Sequence, residues 1–128
     1  MLKILIAEDD TNIALALTVL LRRAISDAVI TTVNDGQQAM QCLCDDSFAL
    51  VISDWNMPCI TGMELLSFVR TTPQTQRLPF LMLTARIDVA GFSELSNDDI
   101  TGHIGKPFDT DEFIGKVKQL LRMAPGTL

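Results

Sequence analysis

The stretch LKILIAEDD, residues 2–10, joins a nearly continuous apolar run to three acidic residues. The run Leu2–Ala7 lacks the strict alternation of a strand with one wet face, so it predicts a strand buried on both faces. Strands of this kind belong to parallel sheets that helices cover on both sides. The acids Glu8, Asp9 and Asp10 then follow the carboxyl end of the strand, at the edge where open α/β sheets bind ligands.

Apolar strand-like runs alternate with amphipathic helix-like stripes along the chain, without an internal repeat. This alternation predicts an α/β fold in which a parallel sheet is covered on both faces and connected by right-handed crossovers. The predicted strands are Leu2–Ala7, Val29–Val33, Phe48–Ser53, Leu78–Leu83 and Thr101–Gly105. The predicted helices begin at Asp10 or Thr11, at Asp35-Gly36, at Thr61 with a capping box to Glu64, at Ile87 and at Asp109.

Two consecutive segments fit this pattern less well than the rest. The helix predicted over Ile87–Asp99 contains glycine, serine and asparagine, which disfavour a helix interior. The strand predicted over Thr101–Gly105 is interrupted by Gly102. We therefore predict that Gly91–Gly105 is mobile or irregular, with faster amide exchange than the first and third strands.

Length and composition restrict the class of protein. A chain of 128 residues fits one domain, and we expect residues 1–123 to form it and residues 124–128 to be a tail or linker stub. The apolar runs are too short to cross a bilayer and no signal peptide precedes them, which favours a cytoplasmic location. The net charge of −6 argues against direct nucleic-acid binding. Cys42, Cys44 and Cys59 lack metal-ligand spacing and are interpreted as reduced thiols.

Polar side chains of complementary chemistry follow the predicted strands. Glu8 and Asp9 end the first strand and Asp54 ends the third, so three carboxylates converge at one edge of the sheet. They would repel one another without a cation, and Mg²⁺ suits a site that offers a few carboxylate oxygens. A carboxylate can also attack phosphorus to give an acyl phosphate. Thr84 and Lys106 supply a hydroxyl and an ammonium for phosphoryl oxygens.

These residues, in this order and at this spacing, closely resemble the receiver domain of bacterial two-component response regulators. The resemblance covers nearly the whole chain and is strongest for chemotaxis-type receivers. It rests on Glu8-Asp9, Ser53-Asp54-Trp55-Asn56-Met57-Pro58, Thr84 and Lys106-Pro107-Phe108. It implies a doubly wound, five-stranded, flavodoxin-like (βα)5 fold with strand order 2-1-3-4-5.

The resemblance also implies how the acidic residues act. Asp54 would be phosphorylated by a sensor histidine kinase or a histidine phosphotransfer protein. Asp9, Asp54 and the backbone carbonyl of Asn56 would bind Mg²⁺ directly, and Glu8 would act mainly through a metal-bound water. The implied function is a phosphorylation-dependent signalling switch, which catalyses only its own Mg²⁺-dependent phosphotransfer and dephosphorylation.

The remaining implied roles concern the fourth and fifth strands. Thr84 and Lys106 would contact the phosphoryl group, and the bond between Lys106 and Pro107 would be cis. Thr84 would also couple phosphorylation to His103 at the family's switch position. The signal would leave through the fourth helix, fifth strand and fifth helix to a downstream protein target. In this family pattern, Asp99-Ile100 replaces a common Gly-Ala pair and Gly105 replaces a larger residue, so the signalling face departs from the family more than the site does.

Several alternatives stand beside this interpretation. A small phosphohydrolase would want an acid two residues after Asp54, where this chain has Asn56, and a dinucleotide-binding fold would need a Gly-rich first turn. A degenerate receiver that binds partners without phosphorylation is the main rival. Asp10 is interpreted as a helix cap rather than a ligand. An ordinary, partly buried His103 stays open, as do packing or partner-binding roles for Trp55 and Met57, and a monomer or a phosphorylation-induced dimer.

Overall fold

Five strands form a single sheet in the computed structural model, which describes residues 2–84, 100–106 and 108–123. The strands are β1 (Leu2–Ala7), β2 (Ala28–Val33), β3 (Leu50–Asp54), β4 (Phe80–Thr84) and β5 (Thr101–Gly105). The helices are α1 (Thr11–Ala24), α2 (Gly36–Asp45), α3 (Gly62–Thr71) and a final helix, Thr110–Met123. The helix predicted over Ile87–Asp99 and the tail predicted over residues 124–128 lie outside the described residues.

All neighbouring strands are parallel, and their order is β2-β1-β3-β4-β5. The predicted order is therefore confirmed. Successive residues of β1 face opposite sides of the sheet, and both sides are buried. Ile4 and Ile6 belong to the hydrophobic cluster that contains α1 and the final helix. Leu5 and Ala7 belong to the cluster that contains α2 and α3. This two-sided burial explains why the strand reads as a continuous apolar run.

The predicted bounds of β3 and β4 were shifted toward the N-terminus. The third strand begins at Leu50 rather than Phe48, and the fourth begins at Phe80 rather than Leu78. Leu78 is buried, but its N–H donates to the carbonyl of Thr75 in a turn, 2.9 Å away, so burial does not make it part of the ladder. The correction matters because it adds Asp54 and Thr84 to the ends of their strands.

Residues Thr101–Gly105 form the predicted strand, and its pairing is regular, so the irregularity predicted for this part of the segment is wrong. The mobility predicted for it stays a prediction. Every residue of β5 pairs with one of β4, from Phe80 with Thr101 to Thr84 with Gly105. The ladder tolerates the glycines because their amide groups pair like those of any other residue. The rest of the segment predicted to be irregular, residues 91–99, is not among the described residues.

Local signals at the helix starts are confirmed. Asp10 is the N-cap of α1, and its Oδ1 accepts hydrogen bonds from the amides of Asn12 and Ile13 at 2.9 and 3.3 Å. The capping box predicted between Thr61 and Glu64 is present at the start of α3.

The three cysteines are free thiols. Within the described ranges, no helix combines the length and apolar character needed to cross a membrane.

Candidate functional site

The first two site residues follow β1 directly. The amide of Glu8 donates to the carbonyl of Val33 at 3.0 Å, which extends the pairing of β1 with β2 by one residue. This holds the Glu8 side chain inside the sheet edge, where the residue is only 2% exposed, whereas Asp9 is exposed. The amide of Asp10 donates to Oε2 of Glu8 at 3.2 Å. Asp10 itself caps α1, so Glu8 and Asp9 are the acids left for the site.

Asp54 and Thr84 are the last residues of adjacent strands. Asp54 pairs with Leu83 in the parallel ladder, which places the ends of β3 and β4 side by side. Both residues are buried, with exposures of 8% for Asp54 and 3% for Thr84. The carboxylate and the hydroxyl therefore belong to the same edge of the sheet, as predicted.

Lys106 reaches this edge from β5. Its amide donates to the carbonyl of Thr84 at 2.8 Å, so the residue is tied to β4 just after the last ladder pair. Its ammonium donates to Oδ1 of Asp54 at 2.8 Å and lies 3.5 Å from Oε1 of Glu8. One cation thus connects the ends of β5, β3 and β1.

The three predicted carboxylates converge. Glu8, Asp9 and Asp54 each offer an oxygen, and these oxygens all lie within 4.8 Å of one another. Hard oxygen donors at this spacing fit a small divalent cation, and the exposure of Asp9 leaves the cluster accessible from solvent. The donor set therefore fits the Mg²⁺ that the sequence predicts.

Burial and neighbouring charges shift the pKa values of Glu8 and Lys106. Burial raises the pKa of Glu8 to about 7, the negative charge of Asp54 adds to this rise, and the Asp10 amide and Lys106 only partly oppose it. Burial alone would lower the pKa of Lys106, but the hydrogen bond and charge of Asp54, with the charge of Glu8, outweigh it and raise the pKa. The lysine thus stays charged while Glu8 holds a proton more readily than an ordinary glutamate.

Comparison with known proteins agrees with this geometry. The sequence model described as the response regulator receiver domain matches residues 4–118. This chain belongs to that family. The receiver is 30% identical over 125 residues to chemotaxis protein CheY of Pseudomonas aeruginosa, covering 98% of this chain and 100% of that protein.

A longer relative and a solved structure extend the comparison. The receiver is 36% identical over 128 residues to the phosphate regulon transcriptional regulatory protein PhoB of Rhizobium meliloti, but this covers 95% of the chain and 53% of PhoB. The chain thus spans about half of that regulator. The response regulator TrrA of Thermotoga maritima, solved in complex with Mg²⁺-BeF, superposes with a TM-score of 0.79 at 28% identity, covering 94% of this chain and 99% of TrrA.

The loop after Asp54 packs closely against its surroundings, which sequence reasoning did not anticipate. A Cβ added to Gly62 would lie 2.5 Å from the carbonyl oxygen of Asp54 and 3.0 Å from Cα of Trp55. A Cβ on Gly36 would lie 2.8 Å from the carbonyl oxygen of Ile60. The glycines therefore allow the first turns of α3 and α2 to lie against this loop. A glycine at each predicted helix start was the available signal.

Other residues of the loop have mixed environments. Asn56 is exposed and Met57 is 9% exposed, so the thioether packs in the core cluster with α2 and α3. Trp55 is half-buried and packs against the same cluster. Cys59 has a φ of 70°, the left-handed region that non-glycine residues rarely adopt.

The predicted switch residue lies on β5. His103 pairs with Met82 of β4, two residues before the end of the ladder, and it is exposed rather than partly buried. The bond between Lys106 and Pro107, predicted to be cis, involves a residue outside the described ranges. The structure therefore brings together at one edge the residues Glu8, Asp9, Asp54, Thr84 and Lys106. His103 lies farther back, on β5, which Lys106 directly follows.

Proposed function

We propose that this receiver is a signalling switch that accepts a phosphoryl group on Asp54 in an Mg²⁺-dependent reaction. The observation that carries the proposal is the 2.8 Å contact between the Lys106 ammonium and Oδ1 of Asp54, within a cluster of carboxylates. A carboxylate beside other carboxylates repels phosphate. An ammonium and a divalent cation together neutralise that repulsion.

The cation would be held by Asp9, Asp54 and the backbone carbonyl of Asn56, with Glu8 acting mainly through a metal-bound water. Bound there, Mg²⁺ would neutralise the charge that develops on the transferring phosphoryl oxygens. The presence of Mg²⁺-BeF in TrrA, a relative by structure, supports this assignment.

The transfer itself is a displacement at phosphorus. A carboxylate oxygen of Asp54 attacks the phosphorus of a phosphohistidine on a sensor histidine kinase or a histidine phosphotransfer protein. The O–P bond forms as the P–N bond breaks, and the imidazole nitrogen keeps the electron pair. Lys106 and Thr84 donate to the phosphoryl oxygens. Attack by water on the acyl phosphate later returns Asp54 and inorganic phosphate, so the receiver catalyses only its own reactions.

Phosphorylation would shift a conformational equilibrium. It adds about −1.5 to −2 charges next to Thr84 and Lys106. Driving a two-state equilibrium from 1:99 to 99:1 needs roughly 5.5 kcal/mol, and a few charge-assisted hydrogen bonds supply much of it. The movement of Thr84 would be passed to His103, and the altered face of β5 and its flanking helices would bind a downstream protein as a monomer or dimer.

The remaining assignments complete the proposal. Residues 1–123 would form the receiver, and residues 124–128 a tail or linker stub. We propose that it acts in the cytoplasm, where its phosphodonors are, and that it binds proteins rather than nucleic acid because its net charge is −6.

Phosphorylation with a small donor tests the central claim. Acetyl phosphate and Mg²⁺ are expected to add one phosphoryl group to the intact protein by mass spectrometry. Asp54→Asn should abolish the addition, and Asp45→Asn, at an exposed position on α2, should leave it unchanged. The absence of any mass increase, or an increase that survives in Asp54→Asn, overturns the proposal. A degenerate receiver would give the first of these results and would bind its partner equally with and without beryllofluoride.

A further inference from the structure

The side chain of Arg70 forms hydrogen bonds with residues at the starts of β4 and β5. This is the edge of the sheet opposite the one that carries Asp54. From the last turn of α3, its guanidinium donates to the carbonyl of Leu78 at 2.6 Å and to that of Gln76 at 3.3 Å. It also donates to the hydroxyl of Thr101 at 2.6 and 3.2 Å and to the carbonyl of Ile100 at 3.3 Å. One planar group thus joins α3 to the starts of β4 and β5.

The carbonyl of Ile100 has a second function in this arrangement. It accepts the amide of Phe80 at 2.8 Å, the first link between β4 and β5. The guanidinium therefore binds the very oxygen that begins the ladder. From there the pairing continues to Thr84 and Gly105, and the amide of Lys106 then bonds to the carbonyl of Thr84.

The side chains of β5, the strand that leads to Lys106, do little to fix its register against β4. It has five residues, two of them glycines. Among the described residues, a Cβ on Gly105 would meet the carbonyl oxygen of Thr84 alone, at 3.9 Å, so no described side chain packs against this end of the strand. The side chain of Ile104 is the one buried member of β5. Register is strongly specified only where side chains are buried against neighbours.

We propose that Arg70 is a positioning residue for phosphorylation, which it promotes by fixing the register of β5 and so holding the Lys106 ammonium against Asp54. The inference rests on the proposed function of Lys106. A slip of two residues, the smallest that keeps each side chain on its own face, moves the strand by about 6.6 Å, which removes Lys106 from contact with Asp54. The planar fork of arginine suits this task because its donors have fixed directions.

Arg70→Met is the variant of choice because it keeps the aliphatic stem and removes the donors. Arg77→Met, at an exposed arginine in the neighbouring connection, is the matched control. Each is made in the wild-type chain and in Lys106→Met. The rate of Asp54 phosphorylation by acetyl phosphate is measured in all of them. We expect Arg70→Met to slow the wild-type chain about 10-fold, an effect the size of one lost charge-assisted hydrogen bond.

The double-mutant comparison separates positioning from stability. If Arg70 acts through Lys106, Arg70→Met changes the rate less than about 2-fold once Lys106 is methionine, because coupled residues are not additive. Affinity for Mg²⁺, followed by the fluorescence of Trp55, gives a second readout. Removing a nearby ammonium favours a divalent cation, so Arg70→Met should raise the affinity, and do so only when Lys106 is present.

Each possible result either supports or overturns the positioning role proposed for Arg70. An equal loss of rate in both backgrounds, or an Mg²⁺ affinity unchanged by Arg70→Met, assigns Arg70 a purely structural role and overturns the proposal. If Arg70→Met does not fold, Thr101→Val removes the hydroxyl that accepts two of its bonds and takes its place in the same comparison. A wild-type chain that acetyl phosphate does not phosphorylate instead overturns the proposed function, which the Asp54→Asn experiment identifies separately.

Discussion

The ammonium of Lys106 lies 2.8 Å from Oδ1 of Asp54, although 52 positions separate the two residues in the sequence. The same ammonium is 3.5 Å from Glu8, so it is shared between two strands that do not neighbour its own. Among the residues that the structure describes, the Lys106 ammonium is the positive charge in contact with these carboxylates, whose oxygens lie within 4.8 Å of one another. The described groups of the cluster therefore carry an excess of negative charge, which a divalent cation would balance.

Lys106→Met is expected to have opposite effects on metal binding and on phosphorylation. Without the ammonium, Mg²⁺ meets less repulsion, so its affinity in a Trp55 fluorescence titration should rise. Phosphorylation by acetyl phosphate should slow by about 100-fold, the usual effect of losing one donor to a transferring group. Lys118→Met, at an exposed position of the final helix, is the control and should change neither. Equal rates in the Lys106 variant and the wild type would contradict the assignment.

The pKa of Glu8 makes stability depend on pH when metal is removed. Its pKa rises from 4.5 to about 7 on folding, so between these values the folded state binds more protons than the unfolded state. The free energy of unfolding should therefore fall as pH rises from about 5 to 7, by up to about 3 kcal/mol at 1.36 kcal/mol per pKa unit, and level off above.

Urea unfolding in EDTA across this pH range measures the effect. Glu8→Gln cannot ionise, so its stability should lack the slope. Glu112→Gln, an exposed acid in the first turn of the final helix, should keep it. A slope in Glu8→Gln as steep as that of the wild type would assign the proton uptake to another group.

Gly62 and Gly115 should respond in opposite directions to the same substitution. Gly62→Ala forces a methyl to within 2.5 Å of the Asp54 carbonyl, so we expect a loss of about 1–3 kcal/mol in stability and slower phosphorylation. Gly115 lies inside the final helix, and apart from that helix's own backbone no described atom lies within 4 Å of an added Cβ. Gly115→Ala should stabilise by about 1 kcal/mol, as alanine favours helix. Urea unfolding of both variants checks the pair, and a destabilised Gly115→Ala would contradict the helix assignment.

Replacing Cys59 with glycine should raise the stability of the protein. Its φ of 70° is unfavourable for a residue with a Cβ, whereas glycine adopts it freely. After the extra chain entropy that glycine loses, we expect a gain of roughly 0.5–1 kcal/mol in the free energy of unfolding. Cys59→Ala keeps the Cβ and should show no such gain. If the two variants were equally stable, the backbone conformation would not be the cause.

Much of the fold was predictable because parallel strands that are buried on both faces appear in the sequence as continuous apolar runs. The bounds of β1 and β5 were predicted to the residue; for β1 the reason is that the acid Glu8 directly follows the apolar run. The starts of β3 and β4 were not, because Phe48 and Leu78 are apolar without belonging to the ladder. Leu78 bonds to a turn instead. Hydrophobicity reports burial, and only the hydrogen-bond partner decides whether a buried residue is in a strand.

The functional site was also predictable only in part. Its assembly at one edge of the sheet could be predicted because the ends of parallel strands meet there. The residues predicted in this way are Glu8, Asp9, Asp54, Thr84 and Lys106. The close approach of Gly62 to Asp54 could not, since it depends on the angle at which α3 leaves the loop. The hydrogen bonds of Arg70 were likewise hidden. They join residues 31 positions apart, at the edge of the sheet opposite the Asp54 site.

The position of Lys106 at the end of β5 also sets the moment during protein synthesis when the site first exists. A ribosome makes the three carboxylates first and reaches the lysine 52 residues after Asp54, a delay of several seconds at about 5–20 residues per second. Until then a nascent chain can pair β1 with β2 and β3, but it lacks the ammonium that bonds to Asp54 in the folded protein. We therefore expect newly made chains to become efficient phosphoryl acceptors only when β5 joins the sheet and brings Lys106 to Asp54.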